Sequence, residues 1–300
     1  MLKFSLLILV GLLWGSQYIF VKLALVDLDP WTLTFCRLGL GTLFLAIICL
    51  IFRAAPESED QRMSRSPWWL IAIIGVLEAG VPALLIAWGQ QWVDSSLAAI
   101  LLGTTPLFTI VLSCFILAHE RIRPGLLISI AGGFIGLLLL FGLRIQLDAP
   151  LDPVAGAAIL IAAICFATSL VLVARVKGHA THVFARDLMF WSALFMLPIW
   201  LIQGQELNST PGWPALISIL YLATLGSGTV FIIYVRLVRI AGPTFASLSN
   251  YLVPVVGVVL GIWLGQEEIK GSDFIALLII LASLAAARPG IFQRRTDSST

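Results

Sequence analysis

Long apolar runs recur along the whole chain, separated by short polar breaks. Ten such runs fall at residues 3–25, 30–52, 68–91, 96–118, 124–142, 154–175, 184–203, 213–236, 243–264 and 272–288. A hydrocarbon core of ~30 Å takes about 20 helical residues to cross, so each run is long enough to be a membrane span. In lipid each must be a helix, because the backbone has to satisfy its own hydrogen bonds. The first run, "MLKFSLLILVGLLWG", is similar to a secretory leader. It lacks a small-x-small cleavage site and continues through "SQYIFVKLAL", which predicts a retained span. The longest polar stretch, Arg53–Ser66, reads as a loop, and the tail 291–300 as a disordered cytoplasmic segment.

Composition agrees with this pattern. Of 300 residues, 60% are hydrophobic and 11% charged. Soluble domains stand near a quarter charged. No polar segment is long enough for a separate soluble domain, and a net charge of +2 is too small to suggest a nucleic-acid partner, so none is expected. The four cysteines, Cys36, Cys49, Cys114 and Cys165, fall inside spans at scattered spacing. They read as small apolar fillers and neither as disulfides nor as metal ligands. No cofactor is expected.

Lys and Arg set the orientation. With the N-terminus inside, fourteen of the eighteen Lys and Arg lie on the cytoplasmic side. Only Lys22, Arg144 and Lys270 lie outside, and Arg37 lies within the membrane. One missed span would invert every later loop, so both termini are predicted to be cytoplasmic. Trp31, Trp68, Trp69, Trp92 and Trp213 sit at span ends, where an indole prefers to lie.

An internal repeat is visible. Pro106 and Pro254 lie 148 residues apart, and at that offset Ala98 meets Ala246, Val111 meets Val259, Leu112 meets Leu260 and Glu120 meets Glu268. The tight loops "HERIRP" and "QEEIKGS" coincide. Each half holds five spans. Five is odd, so the second half enters the membrane from the opposite side, as in the inverted repeats of many secondary transporters. The predicted fold class is therefore all-α integral membrane, with ten transmembrane helices in two inverted five-helix repeats at 1–145 and 150–290. Gly11 with Gly15, Gly132 with Gly136, and Gly257, Gly261 and Gly265 are spaced by four. Such faces let helices approach closely, here within one chain.

These features together resemble the drug/metabolite transporter superfamily in its EamA-type branch. The residues that carry the resemblance are "LLWGSQYIFVKLAL", "PWTLTFCRLGLGTLFLA" and "SSLAAILLGTTPLFTIVLSCFILAHERI", the last recurring in degraded form as "ASLSNYLVPVVGVVLGIWLGQEEI". The resemblance covers about residues 4–288 and fits the first half better, since the second opens with "AAICFATSLVLVARV" and has no Trp-Gly pair. It implies a ten-helix carrier of the bacterial inner membrane that exports an amino acid or other small metabolite. It also implies a central cavity lined by spans one, three, four, six, eight and nine.

Charge inside a membrane costs about 2.5–3.5 kcal/mol on insertion scales, so it faces the bundle interior or water. Only Arg37 and Glu78 sit well inside spans. Glu78 lies ten residues from the inner end of span three, about 15 Å deep. Pro82 follows it and is expected to kink the helix. Three roles stay open for Glu78: contact with a cationic group of the substrate, carriage of a proton, or pairing with Arg37 and polar neighbours to hold the bundle. Arg37 lies about 10 Å deep from the outer side, an axial offset of roughly 9 Å from Glu78. A structural or gating role is the reading preferred for it, and for Pro82, Pro106 and Pro254. Trp14, Gln17, Thr105, Tyr234, Asn250 and Tyr251 complete the candidate substrate-binding set. The "HATH" pair, His179 and His182, reads as a solvated loop and not a metal site.

Enzymes are not expected. Ser227 in "GSG" is the one serine that suggests a nucleophile, yet all three histidines lie in loops. No GxxxxGK[ST] loop is present to bind a nucleotide. The expectation is a secondary transporter that works as a monomer in the bilayer on a small-molecule substrate by alternating access. The alternative is a non-transporting membrane receptor or assembly partner.

Overall fold

The computed structural model describes residues 2–52, 65–89, 92, 95–117, 124–142, 152–204, 211–265 and 271–286. Among these residues regular structure is helical throughout, with no strand. The first helices are α1 (Leu2–Ala24), α2 (Pro30–Ile51) and α3 (Trp68–Gly75), the last running through a π-helical turn π1 (Val76–Gly80) into α4 (Val81–Gly89). Then come α5 (Ser95–Leu102), α6 (Thr105–Ile116), α7 (Pro124–Gly142), α8 (Pro153–Arg175) and α9 (Thr181–Gln203). α10 (Trp213–Ala223) passes through π2 (Thr224–Thr229) into α11 (Val230–Ala241), followed by α12 (Pro243–Ala246), α13 (Ser249–Gly265) and α14 (Gly271–Ala286). Six stretches among the described residues are apolar and long enough to cross a membrane: Leu2–Val21, Pro30–Ile51, Trp68–Ile86, Pro153–Arg175, Thr181–Gln203 and Trp213–Ala241. Shorter apolar helices accompany them.

Local chemistry sets the helix ends. Asp29 accepts from the Trp31 and Thr32 amides at 2.9 and 3.0 Å, with Pro30 opening α2. Asp152 caps α8 in the same way ahead of Pro153. Each carboxylate satisfies amides that a first helical turn leaves unpaired, and proline has no amide to lose there. Gly242, at φ 83°, ends α11 in a conformation that a side chain would strain.

Outer surfaces are apolar. Leu43, Ile47 and Leu50 run down one exposed face of α2, and Ile217 and Leu220 do so on α10. A water-soluble monomer does not present continuous apolar faces of this kind, whereas lipid does not penalise them. Inside, α2 packs on α9, α7 on α14, α1 on α13 and on α10–α11, and α8 on α6 and α4. The glycine pairs read from the sequence lie at such contacts. A Cβ on Gly11 would meet Leu252 of α13, and one on Gly132 or Gly136 would meet Ser283 or Ile280 of α14.

Structure and sequence reading differ in detail. The fourth and ninth apolar runs are broken, at Gly103–Thr104 and at Ser247–Leu248. Span seven starts at Thr181 and span eight extends to Ala241. Beside Glu78 the helix is not merely bent at Pro82. It widens by one residue, with the Val81 amide donating to Val76 O. Such wide turns recur at functional sites in other proteins. The loops "HERIRP" and "QEEIKGS" lie almost wholly outside the described residues, as do Gln90 and Gln91.

Candidate functional site

Glu78 is the centre of the site. It sits in π1 and is 4% exposed, and its Oε2 has no hydrogen-bond partner among the described residues. Side chains of two other helices approach it, with a third packed behind them. Ser169 of α8, fully buried, stands opposite the carboxyl, in reach but outside normal hydrogen-bond geometry. Tyr234 of α11, 3% exposed, lies within the field of the Glu78 charge. Trp14 of α1 packs on Tyr234 with ring centroids 4.8 Å apart, and on Phe231 at 6.0 Å.

Arg37 does not pair with Glu78. Its Nε donates to Ser227 Oγ at 3.3 Å and its Nη2 to Gln17 Oε1 at 3.0 Å. Gln17 then donates from Nε2 to the Gly226 carbonyl at 2.9 Å, so both ends of its amide are engaged. That carbonyl belongs to π2, a second wide turn. Arg37 thus bridges α1, α2 and π2 through neutral partners, and the pairing role considered for Glu78 is corrected. Helix direction explains the miss: Arg37 faces α1 and π2, while Glu78 faces α8 and α11.

Other candidates are distributed more widely. The Thr105 hydroxyl donates back to Leu102 O at 2.6 Å, closing the break between α5 and α6. Pro106 lies in the first turn of α6, while Pro254 lies inside α13. Asn250 is half-buried at the start of α13. Tyr251 is fully buried and turned toward α7, its hydroxyl donating to Ile130 O at 3.1 Å and its ring seated on Gly133. It is therefore not grouped with Glu78. An apolar groove between α2 and α9, lined by Phe35, Gly39, Leu43, Phe190 and Leu194, contains none of these residues.

Ser169 was missed by sequence reasoning. A single hydroxyl in "AAICFATSLVLVARV" is a weak signal, and only the packing of α8 on π1 gives it a partner. The histidine pair also needs correction. His179 is not a solvated loop residue: it is 9% exposed, accepts from Arg65 Nε at 3.2 Å and contacts Ser66 O at 2.9 Å. His182 lies in the first turn of α9. Among the described residues no cluster of His, Cys, Asp and Glu is suited to a metal.

An apolar exterior with its polar groups gathered between central helices defines a polytopic membrane protein with an internal polar site. The chain belongs to the EamA-like transporter family, which it matches over residues 1–142 and again over 155–287. It is 27% identical to the uncharacterized inner membrane transporter YedA of Escherichia coli K12 over 290 residues, 96% of this chain and 90% of that one. It is 27% identical to a probable amino-acid metabolite efflux pump of Salmonella typhimurium over 300 residues, 96% and 95% of the two chains. A solved crystal structure bearing no functional description superimposes with a TM-score of 0.79 at 20% identity over 99% of both chains. That likeness speaks to the fold alone.

Proposed function

We propose that the protein is a secondary transporter that exports an amino acid or a similar small metabolite across the inner membrane by alternating access. In this reading ten spans form two inverted five-helix repeats, both termini are cytoplasmic, and one chain suffices. The observation that carries it is Glu78: a buried carboxyl with an unpartnered oxygen, where spans three, six and eight meet. An isolated charge there is costly and has no evident structural partner, which is the situation of a group kept for a ligand or a proton.

The repeat has support from three directions. The family match occurs twice. The helix pairings map onto themselves when the halves are exchanged: span one on spans eight and nine answers span six on spans three and four. The two wide turns begin at Val76 and Thr224, which differ by the same 148 as Pro106 and Pro254. Support for an amino-acid cargo comes from relatives. One is the Salmonella protein, and another is a probable terminal-alkyne amino-acid exporter of Streptantibioticus cattleyicolor, 26% identical over 266 residues.

The test is metabolite profiling of the medium of cells with and without the protein, in wild type and Glu78→Gln, followed by flux into proteoliposomes. One or more amino acids should accumulate outside wild-type cells, and Glu78→Gln should lower that flux about ten-fold or more. Binding without flux would identify a receptor instead. Normal transport by Glu78→Gln across a pH range would remove Glu78 from the mechanism.

A further inference from the structure

A wide helical turn displaces a carbonyl from its usual amide, and the two wide turns of this chain treat that carbonyl differently. In π2 the Val230 amide donates to Leu225 O and Ser227 O and passes over Gly226 O. Gly226 O is answered from outside the helix, by Gln17 Nε2 at 2.9 Å. In π1 the Val81 amide, which an α-helix would aim at Leu77 O, goes to Val76 O. The next residue is Pro82, which has no amide to give. Leu77 O is therefore left without a donor from its own helix. At the offset of 148 the counterpart of Gln17 is Cys165 of α8, which carries no amide group that could take the place of Gln17.

What α8 brings to π1 is Ser169, one turn beyond Cys165 on the same face. Its hydroxyl is fully buried and has no hydrogen-bond partner among the described residues, and the same holds for Glu78 Oε2. The two oxygens are in reach of each other but outside hydrogen-bond geometry. Among the described residues no Lys, Arg or His forms an ion pair with Glu78. The side chains beyond, Tyr234, Trp14 and Phe231, are neutral. One turn of helix and its neighbour thus hold a carboxylate, a hydroxyl and a freed carbonyl, all oxygen, with no donor and no counter-charge. A carboxylate taken out of water in this way needs a positive partner.

We propose that π1 is a sodium site, with the ion held between the Glu78 carboxylate and Ser169 Oγ and completed by the backbone carbonyl that the wide turn frees at Leu77. Oxygen ligands select hard cations. Charge selects a monovalent one: a single carboxylate and a single positive charge sum to zero, whereas a divalent ion would leave a net charge inside the bundle. A proton on Oε2 would also neutralise the carboxylate, but it needs an acceptor in hydrogen-bond geometry, which Ser169 does not offer, and it leaves Leu77 O unanswered. Displaced backbone carbonyls in broken membrane helices hold coupling ions in other transporters. Binding of the ion stands on these residues alone. Its use, sodium entry driving solute export, rests on the transport reading above.

The test uses the full chain, purified and reconstituted in nanodiscs. Radiolabelled sodium is titrated by scintillation proximity, with choline chloride holding the ionic strength constant. Sodium should bind saturably at roughly millimolar concentrations, and potassium should compete at least about ten-fold more weakly. Glu78→Gln, checked for a monodisperse folded sample, should abolish binding. Ser169→Ala and Ser169→Cys should each weaken it about ten-fold, since neither offers a hard oxygen, and they carry the test if the glutamine variant does not fold. Ser129→Ala removes another buried, unpartnered hydroxyl, in α7, and should leave binding unchanged. In proteoliposomes, flux of an exported solute should rise about five-fold or more when sodium, and not choline, is placed on the side opposite the solute.

Absence of saturable sodium binding by the folded wild type, or binding that both Ser169 variants leave unchanged, overturns the inference. If sodium is not bound and a solute still moves, the sodium site falls and transport stands. If sodium is bound and no solute moves, the site stands and the transport reading falls. Flux that follows a proton gradient and ignores sodium overturns the coupling role.

Discussion

Gly75 is the point where the helix carrying Glu78 touches α9. The Ser192 hydroxyl donates to Gly75 O at 2.8 Å, and a Cβ added at Gly75 would lie 2.7 Å from the Leu188 carbonyl oxygen and 3.3 Å from Trp191 Cβ. Carbon rests at about 3.3–3.6 Å from such an oxygen, so in Gly75→Ala the two helices must part by roughly 0.5–1 Å. Overpacking of this kind costs about 1–3 kcal/mol. Against it stands the gain of about 1 kcal/mol from replacing glycine by alanine inside a helix. Gly39→Ala isolates the packing part, because Gly39 is also helical and a Cβ there meets nothing within 4 Å. The difference between the two variants cancels the propensity gain and should equal about 1–3 kcal/mol, with Gly75→Ala the less stable. Reversible unfolding by sodium dodecyl sulfate in mixed micelles, followed by tryptophan fluorescence, measures it. Two variants within about 0.5 kcal/mol of each other would show that α3 and α9 do not meet in the way described.

Two further substitutions probe residues whose partners lie away from Glu78. Tyr251→Phe removes the hydroxyl bond to Ile130 O and should cost about 0.5–1.5 kcal/mol in the same unfolding assay, with the substrate range unaltered; a changed substrate range would return Tyr251 to the site. His179→Ala cuts the clip between segments 65–67 and 176–180, and should lower stability by about 1–2 kcal/mol and speed amide exchange at Ser66 and Lys177, whose backbones bond each other at 3.1 Å; unchanged exchange there would refute the clip.

What was legible in the sequence follows what lipid enforces locally. A span must be apolar along its whole length, so Pro30–Ile51 was bounded to within a residue by its apolar run and by Asp29 and Pro30. Glu78 stood out for the same reason, as a lone acid in a segment that tolerates none. The wide turns, the helix breaks and the site partners were not legible, because they depend on groups far apart in sequence. Gln17 reaches the Gly226 carbonyl across 209 positions, and Arg65 reaches His179 across 114. Ser169 and Ser227 are ordinary small residues until α8 and π2 bring them beside charges.

The proposed duplication also sharpens what the site is. At the offset of 148, Glu78 corresponds to Gly226, Gln17 to Cys165, Trp14 to Ala162, Arg37 to Ala185, Tyr234 to Ile86 and Ser169 to Val21. Every polar or aromatic member of the site faces a small or apolar counterpart. The scaffold features, by contrast, occur twice: the wide turn in spans three and eight, the broken helix in spans four and nine, and the paired contacts between halves. A symmetric scaffold lets two access states lie close in energy, since each half can take the other's arrangement. A site present once gives those states different ligand contacts, because the side chains around it do not exchange with the helices. Differential contact with two states is the only means by which a ligand shifts their populations. In the proposed alternating-access cycle, transport would need both the repetition of the turns and the lack of repetition at Glu78 and Arg37. An acid installed at Gly226 would put a carboxylate in the second wide turn as Glu78 is in the first, and its Cβ, 3.1 Å from Gln17 Cγ, would press on the residue that holds Arg37.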